Sequence, residues 1–438
     1  MVEVSNLPFG FQPGRGDDEG DDKPAQPADP FAAMFGPGGA PDFGEALRRL
    51  GDLMSGQSGP VNWKVARDTA LQAAGAADPG TTAADTAAVT EAIRLADMWL
   101  DPHTSLPSGV SATEAWSRRR WVEATLDAWA QLCDPVAARV VSAMGAALPA
   151  QMPEAMQGMA APLLGMMQQV GGLMFGAQVG QAIGSLAAEV VSSTDIGLPL
   201  GPAGRAALLP ANVAAFGEGL EVPADQVRLF LALREAAHHR LFGHVPWLRG
   251  HLFDSVAAYG RGIQVDTSAM ESALREIDPQ DPESLQRALS GGMFEPENTP
   301  EQQAALTRLE TALALVEGWV DEVVADAAGQ LPSAAALRET VRRRRATGGP
   351  AEQTFATLVG LELRPRRLRD AAALWRAVTE ARGVEGRDAV WSHPDLLPGA
   401  DDLDDPTGFA ARAGAGADID ISSLTDGTPP ADTEQNEG

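Results

Sequence analysis

A single cysteine, Cys133, a single tyrosine, Tyr259, and only six histidines are spread over 438 residues. One thiol excludes an intrachain disulfide and any zinc site built from cysteines. The opening residues, MVEVSNLPFGFQPGRGDDEGDDK, offer neither a basic start nor an apolar run, so no secretory leader is expected and a reducing cytoplasm is the expected location. Basic residues are also scarce: 33 Lys and Arg stand against 60 Asp and Glu, for a formal charge of −27. A field of that sign repels phosphate, so no nucleic-acid partner is expected. No Walker loop, no GxGxxG after a strand and no GxSxG elbow is present, which removes the usual phosphate and serine-hydrolase signatures.

Much of the negative charge is terminal. Residues 1–30 and 395–438 together carry −15 of the −27, so residues 1–40 and 393–438 are expected to be disordered tails around a body spanning 41–392. Within that body apolar residues recur every three or four positions. They predict helices from Asp42 and over 61–78, 82–101, 111–149, 223–243, 247–261 and 300–328, with an Arg-rich helical stretch inside 332–391. Thr81 or Thr82, and Ser111 with Glu114 three residues on, read as helix starts. Strand alternation is nearly absent, and only 205–209 and Ile263–Val265 are candidates for short strands. The expected fold class is therefore mainly α, with the nine tryptophans anchoring helices that are otherwise rich in Ala and Leu.

Residues 155–188 contain no charged side chain, and Gly172, Gly176, Gly180 and Gly184 recur every fourth position. Such a ladder lets another backbone approach closely, which suits a homo-oligomer contact, a membrane helix or tight packing within a bundle. Pro162, the glycines and five glutamines make a membrane span expensive, and none is expected. A second cluster, Arg342–Arg345 with Arg364, Arg366, Arg367 and Arg369, reads as a solvated helix face or a landing site for the acidic tail.

Four of the six histidines, His238, His239, His244 and His251, fall within fourteen residues. Residues 234–238 read Arg-Glu-Ala-Ala-His. An HExxH helix places two histidines on one face to hold zinc, with its glutamate polarising the metal-bound water. Here Glu235 and His238 keep the base and second-ligand positions, but Arg234 holds the first, and a guanidinium cannot ligate a cation. Replacement ligands are needed. His244 lies where the longer HExxHxxGxxH pattern has its third histidine, although Leu241 stands at the glycine position. Glu317, with Asp321 four residues on, could supply a carboxylate from a facing helix.

The run LREAAHHRLFGHVPWLRGHLFDSVAAYGRGI at 233–263 resembles the signature of the actinobacterial Zincin_2 family, and so do GAQVGQAIGSLA (176–187), EGWVDEVV (317–324) and HPDLLPGADDLDDPTGF (393–409). That resemblance implies a helical zincin-like body and a zinc-dependent metalloprotease or hydrolase, and a related branch is associated with coenzyme F420 biosynthesis. It implies Glu235 as general base, His238 with Glu317 or His244 as zinc ligands, and Asp321 behind them. The alternative is a catalytically inactive zincin fold kept as a scaffold or binding protein, with Arg234, Glu235 and Glu317 in a buried ionic network. Less favoured is a peripheral membrane protein using 156–188.

Overall fold

The computed structural model describes residues 59–75, 77–147, 157–262, 299–346 and 367–415. The expected tail 1–40, the helix expected from Asp42 and the strand candidate Ile263–Val265 lie outside them. Among the described residues the architecture is helices around one two-stranded sheet. In chain order the main elements are α1 (Trp63–Gly75), α2 (Ala83–Leu100), β1 (Ala112–Ala115), α3 (Arg118–Ala147), α4 (Gln157–Ala187), β2 (Arg205–Leu208) and α5 (Pro210–Gly217). They continue with α6 (Ala224–His244), α7 (Leu248–Arg261), α8 (Pro300–Ala327), α9 (Ala334–Ala346), α10 (Leu368–Asp388) and α11 (Pro406–Ala415).

Helix starts follow local chemistry. Thr82 and Asp85 form a reciprocal capping box on α2, and Thr299 with Gln302 does the same on α8. The expected start at Ser111 is displaced. Residues 112–115 run parallel to β2 with Ala112 opposite Arg205 and Glu114 opposite Ala207, because Ser111 and Ala112 both donate backbone N–H groups to the Gly204 carbonyl. Glu114 is then spent on Arg205 and the Trp116 indole instead of a cap. A parallel pair needs a long crossover, and α3 and α4 supply it. At the other end, helical turns run past residue 392 to Ala415, with Leu403, Phe409 and Ala410 buried. The segment 393–415 thus belongs to the body.

The glycine ladder has an occupant inside the chain, the tight packing within a bundle that is one of its readings. Gly172, Gly176, Gly180 and Gly184 lie against residues 59–62 and the length of α1 as far as Ala73; an added Cβ at Gly180 would sit 2.4 Å from the Ala66 carbonyl oxygen, and at Gly176 2.5 Å from that of Asn62. Gly180→Val should therefore force the two helices apart and cost about 1–3 kcal/mol or more. Gly171→Ala, where nothing lies within 4 Å, should be neutral or slightly stabilising. Thermal melts of the two variants check this, and equal melting temperatures would refute it. Among the described residues no helix is long and apolar enough to cross a membrane.

Indoles hold the remaining layers. Trp116, Trp121, Trp129, Trp319, Trp375 and Trp391 are all fully buried. Trp375 stacks on Trp391 at 5.3 Å between centroids and hydrogen-bonds the Leu315 carbonyl, pinning α10 to α8. At the centre lie α6 and α8, crossed by the loop 190–198 and covered by α9.

Candidate functional site

Every residue of α6 from Leu229 to Leu241 is buried, so this helix has no solvent face on which to place its charges. Each charged or polar group in that stretch, Arg234, Glu235, His238, His239 and Arg240, must find a partner inside the protein. Arg240 reaches α2, donating to Asp97 at 2.8 Å and Asp101 at 2.6 Å and to the Leu106 carbonyl at 2.9 Å. The other four divide into two clusters on either side of the helix.

The first cluster surrounds Glu235. One carboxylate oxygen accepts from Ser193 Oγ at 2.5 Å, the Ala207 amide at 2.9 Å and His239 Nε2 at 3.1 Å. The other accepts from Thr194 Oγ1 at 2.6 Å and its amide at 3.2 Å. Burial alone would raise the Glu235 pKa. The hydrogen bond and charge of His239, with the Ser193 and Thr194 hydroxyls, outweigh it and hold the group at about 2. A general base works best with a pKa near the operating pH and a lone pair free for the incoming proton. Glu235 has neither in this arrangement. Ser193, His239 and Glu235 do not form a nucleophilic triad either, because Ser193 and Glu235 both address the same nitrogen, Nε2, and nothing relays a proton.

The second cluster surrounds Glu317 of α8. Arg234 donates to its Oε2 at 2.6 Å, while His238 Nε2 and Arg345 of α9 both meet Oε1 at 3.0 Å. Burial pushes the Glu317 pKa up, but Arg345, His238 and Arg234 together push it far below the usual carboxylate range. His238 Nδ1 donates to the Arg234 carbonyl at 2.9 Å, so both ring nitrogens face acceptors. Gly197, at φ +76°, presses the loop against the carboxylate: a Cβ there would lie 2.7 Å from Oε1. Four residues further along α8, Asp321 accepts 2.6 Å bonds from both Arg338 and Arg342, which outweigh the burial that would raise its pKa.

These contacts decide how the expected ligands fit zinc. His238 and Glu317 do meet, and the His238 Nδ1–H anchored on a carbonyl is the support a ligating imidazole uses. A zinc site needs at least three protein donors about 2 Å from the ion. The third group here is a guanidinium, and a second guanidinium shares the same carboxylate. His244 does not join them. It is exposed in the last turn of α6 and bonds the Arg240 carbonyl. Among the described residues no three His, Cys, Asp or Glu side chains are placed to hold a metal. The donor set therefore does not fit zinc in this arrangement.

Several partners had no readable signature. Ser193, Thr194 and the Ala207 amide are ordinary loop and strand residues. His239, read in the sequence only as one of four clustered histidines, is 7% exposed and bound to Glu235. The arginine run gave a signal that pointed the wrong way. Arg342, Arg344 and Arg345 face inward onto Asp321, Asp195 and Glu317, whereas Arg367 meets Asp404 and the Ala400 carbonyl, a landing site for the chain's own acidic segment.

Comparisons with known proteins agree with this frame. The profile of a family described as zincin-like metallopeptidase matches residues 61–410. A crystal structure from Chloroflexus aurantiacus, described as a "putative hydrolase with a novel fold", superposes with a TM-score of 0.56 at 21% identity, covering 81% of this chain and 99% of that one. At that identity it speaks for the fold alone. No curated protein matches.

Proposed function

The chain belongs to the zincin-like metallopeptidase family, and we propose that this member works without zinc, as a binding or scaffold protein on a zincin-like frame. One observation carries the reading: Arg234, in place of the first HExxH histidine, donates to Glu317 at 2.6 Å. A guanidinium thereby supplies inside the protein the positive charge that a metal ion would otherwise bring to His238 and Glu317. With that charge already present, a dication would add repulsion to a site that has lost a donor.

The hydrolase reading, with Glu235 as base and His238 and Glu317 as zinc ligands, is favoured by the ligand-like setting of His238. It requires Arg234 and Arg345 to leave Glu317, and Glu235 to shed donors that hold both its oxygens.

Metal analysis of the purified full chain separates the two. Zinc well below one equivalent is expected after incubation with excess zinc and desalting, with the same melting temperature in chelator. One equivalent of zinc, lost on His238→Ala, would refute the proposal and restore the hydrolase.

A further inference from the structure

Glu317 has three cationic partners, and they are not held alike. Arg234 and His238 sit on α6, which is buried from Leu229 to Leu241. Arg345 comes from α9, a thirteen-residue helix of which, among the residues whose burial is described, only Leu337 and Val341 are buried. What fixes α9 is ionic. Arg338 and Arg342 both end on Asp321 at 2.6 Å. Arg344 meets Asp195 at 3.1 Å and the Glu189 carbonyl at 2.6 Å, and Arg345 meets Glu317 and the Asp195 carbonyl. The same arginines therefore bind α9 to α8 and pin the loop 189–197, including Gly197, over the carboxylate.

We infer that α9 is a latch, docked by its arginines over the Glu317–His238 pair, and that its release is what opens this site to solvent. Two buried aliphatic side chains give a helix little apolar hold, and the arginines that tether it remain 14–28% exposed on carboxylates that are otherwise buried, so α9 can open locally without the core unfolding. The Arg345 side chain is 14% exposed where it meets Glu317, so it sits at the edge of the site. When α9 leaves, that cation regains water while Glu317 keeps Arg234 and His238. The inference rests on the site geometry and stands whether or not metal binds.

Two probes read the opening on the full chain. Trypsin cuts after Arg338 and Arg342–Arg345 only when α9 is undocked, and diethyl pyrocarbonate reaches His238, 1% exposed, only when the site is uncovered. Cleavage sites and modified histidines are located by mass spectrometry, with exposed His244 as the internal reference. Raising sodium chloride from 0.05 to 1 M should accelerate both about tenfold, and Arg345→Gln or Asp321→Asn should do so at low salt, with far-ultraviolet circular dichroism unchanged. Rates that follow neither salt nor either variant, or that rise only with global unfolding, overturn the latch. Should a variant fail to fold, the salt series on the unaltered chain still decides. Zinc uptake is measured separately, so a failed latch and a failed metal-free reading are told apart.

Discussion

Glu235→Gln should destabilise the whole body by about 3 kcal/mol or more at neutral pH, a larger loss than an active-site residue removed from an intact frame would cause. The two oxygens take donors from Ser193, Thr194, the Ala207 amide and His239, so the carboxylate ties α6 to the 190–198 loop and to β2 at once. An amide replaces one acceptor oxygen with an NH2 group that faces donors, leaving buried polar atoms unmatched. The size follows from linkage: a carboxyl ordinarily near 4.5 and held at about 2 in the fold represents roughly 3 kcal/mol of preference for the charged form, at about 1.4 kcal/mol per unit. Its sign is that of a depressed acid. The stabilisation is fully present above pH 4.5 and is lost as pH falls toward 2. Urea unfolding of both proteins at pH 7 and pH 3 checks this, with the gap between them narrowing in acid. A glutamine variant as stable as the parent at pH 7 would return Glu235 to the role of a free base.

Much of the helical frame is legible in the sequence because burial imposes periodicity. The spans 61–78, 82–101, 247–261 and 300–328 correspond to α1, α2, α7 and α8 within a few residues, and Thr82 caps where its side chain predicts. The failures have a common cause. Ser111 and Glu114 carry a helix-start pattern that tertiary pairing with Gly204 and Arg205 overrides. The four-residue glycine spacing reports a close helix contact but is silent on whether the neighbour is another chain or α1. The arginine run is cationic wherever it points, and it is the acidic residues along α8 together with Asp195 of the loop that turn it inward. At the site, the Arg-Glu-Ala-Ala-His string and the Glu317 carboxylate are readable one at a time. That Arg234 and Glu317 are bonded across 83 residues is a fact of helix packing.

That pair gives the strongest expected effect. Glu317→Gln should cost about 3–5 kcal/mol, because it leaves Arg234, 6% exposed, as a buried charge without its counter-ion and removes the anchor of Arg345. Arg234→Met alone should cost less, since Glu317 retains His238 and Arg345. Combining Arg234→Met with Glu317→Leu should regain much of the loss, as apolar groups of similar volume often replace a buried ion pair with little penalty, and the double-mutant cycle should show strong coupling. The four proteins are compared by urea unfolding at pH 7 in zinc and in chelator. In a metal site the cost of Glu317→Gln is mainly lost binding energy, so chelator would bring parent and variant together. In an ionic network the gap is the same in both buffers, because the charge that Glu317 balances is the protein's own arginine.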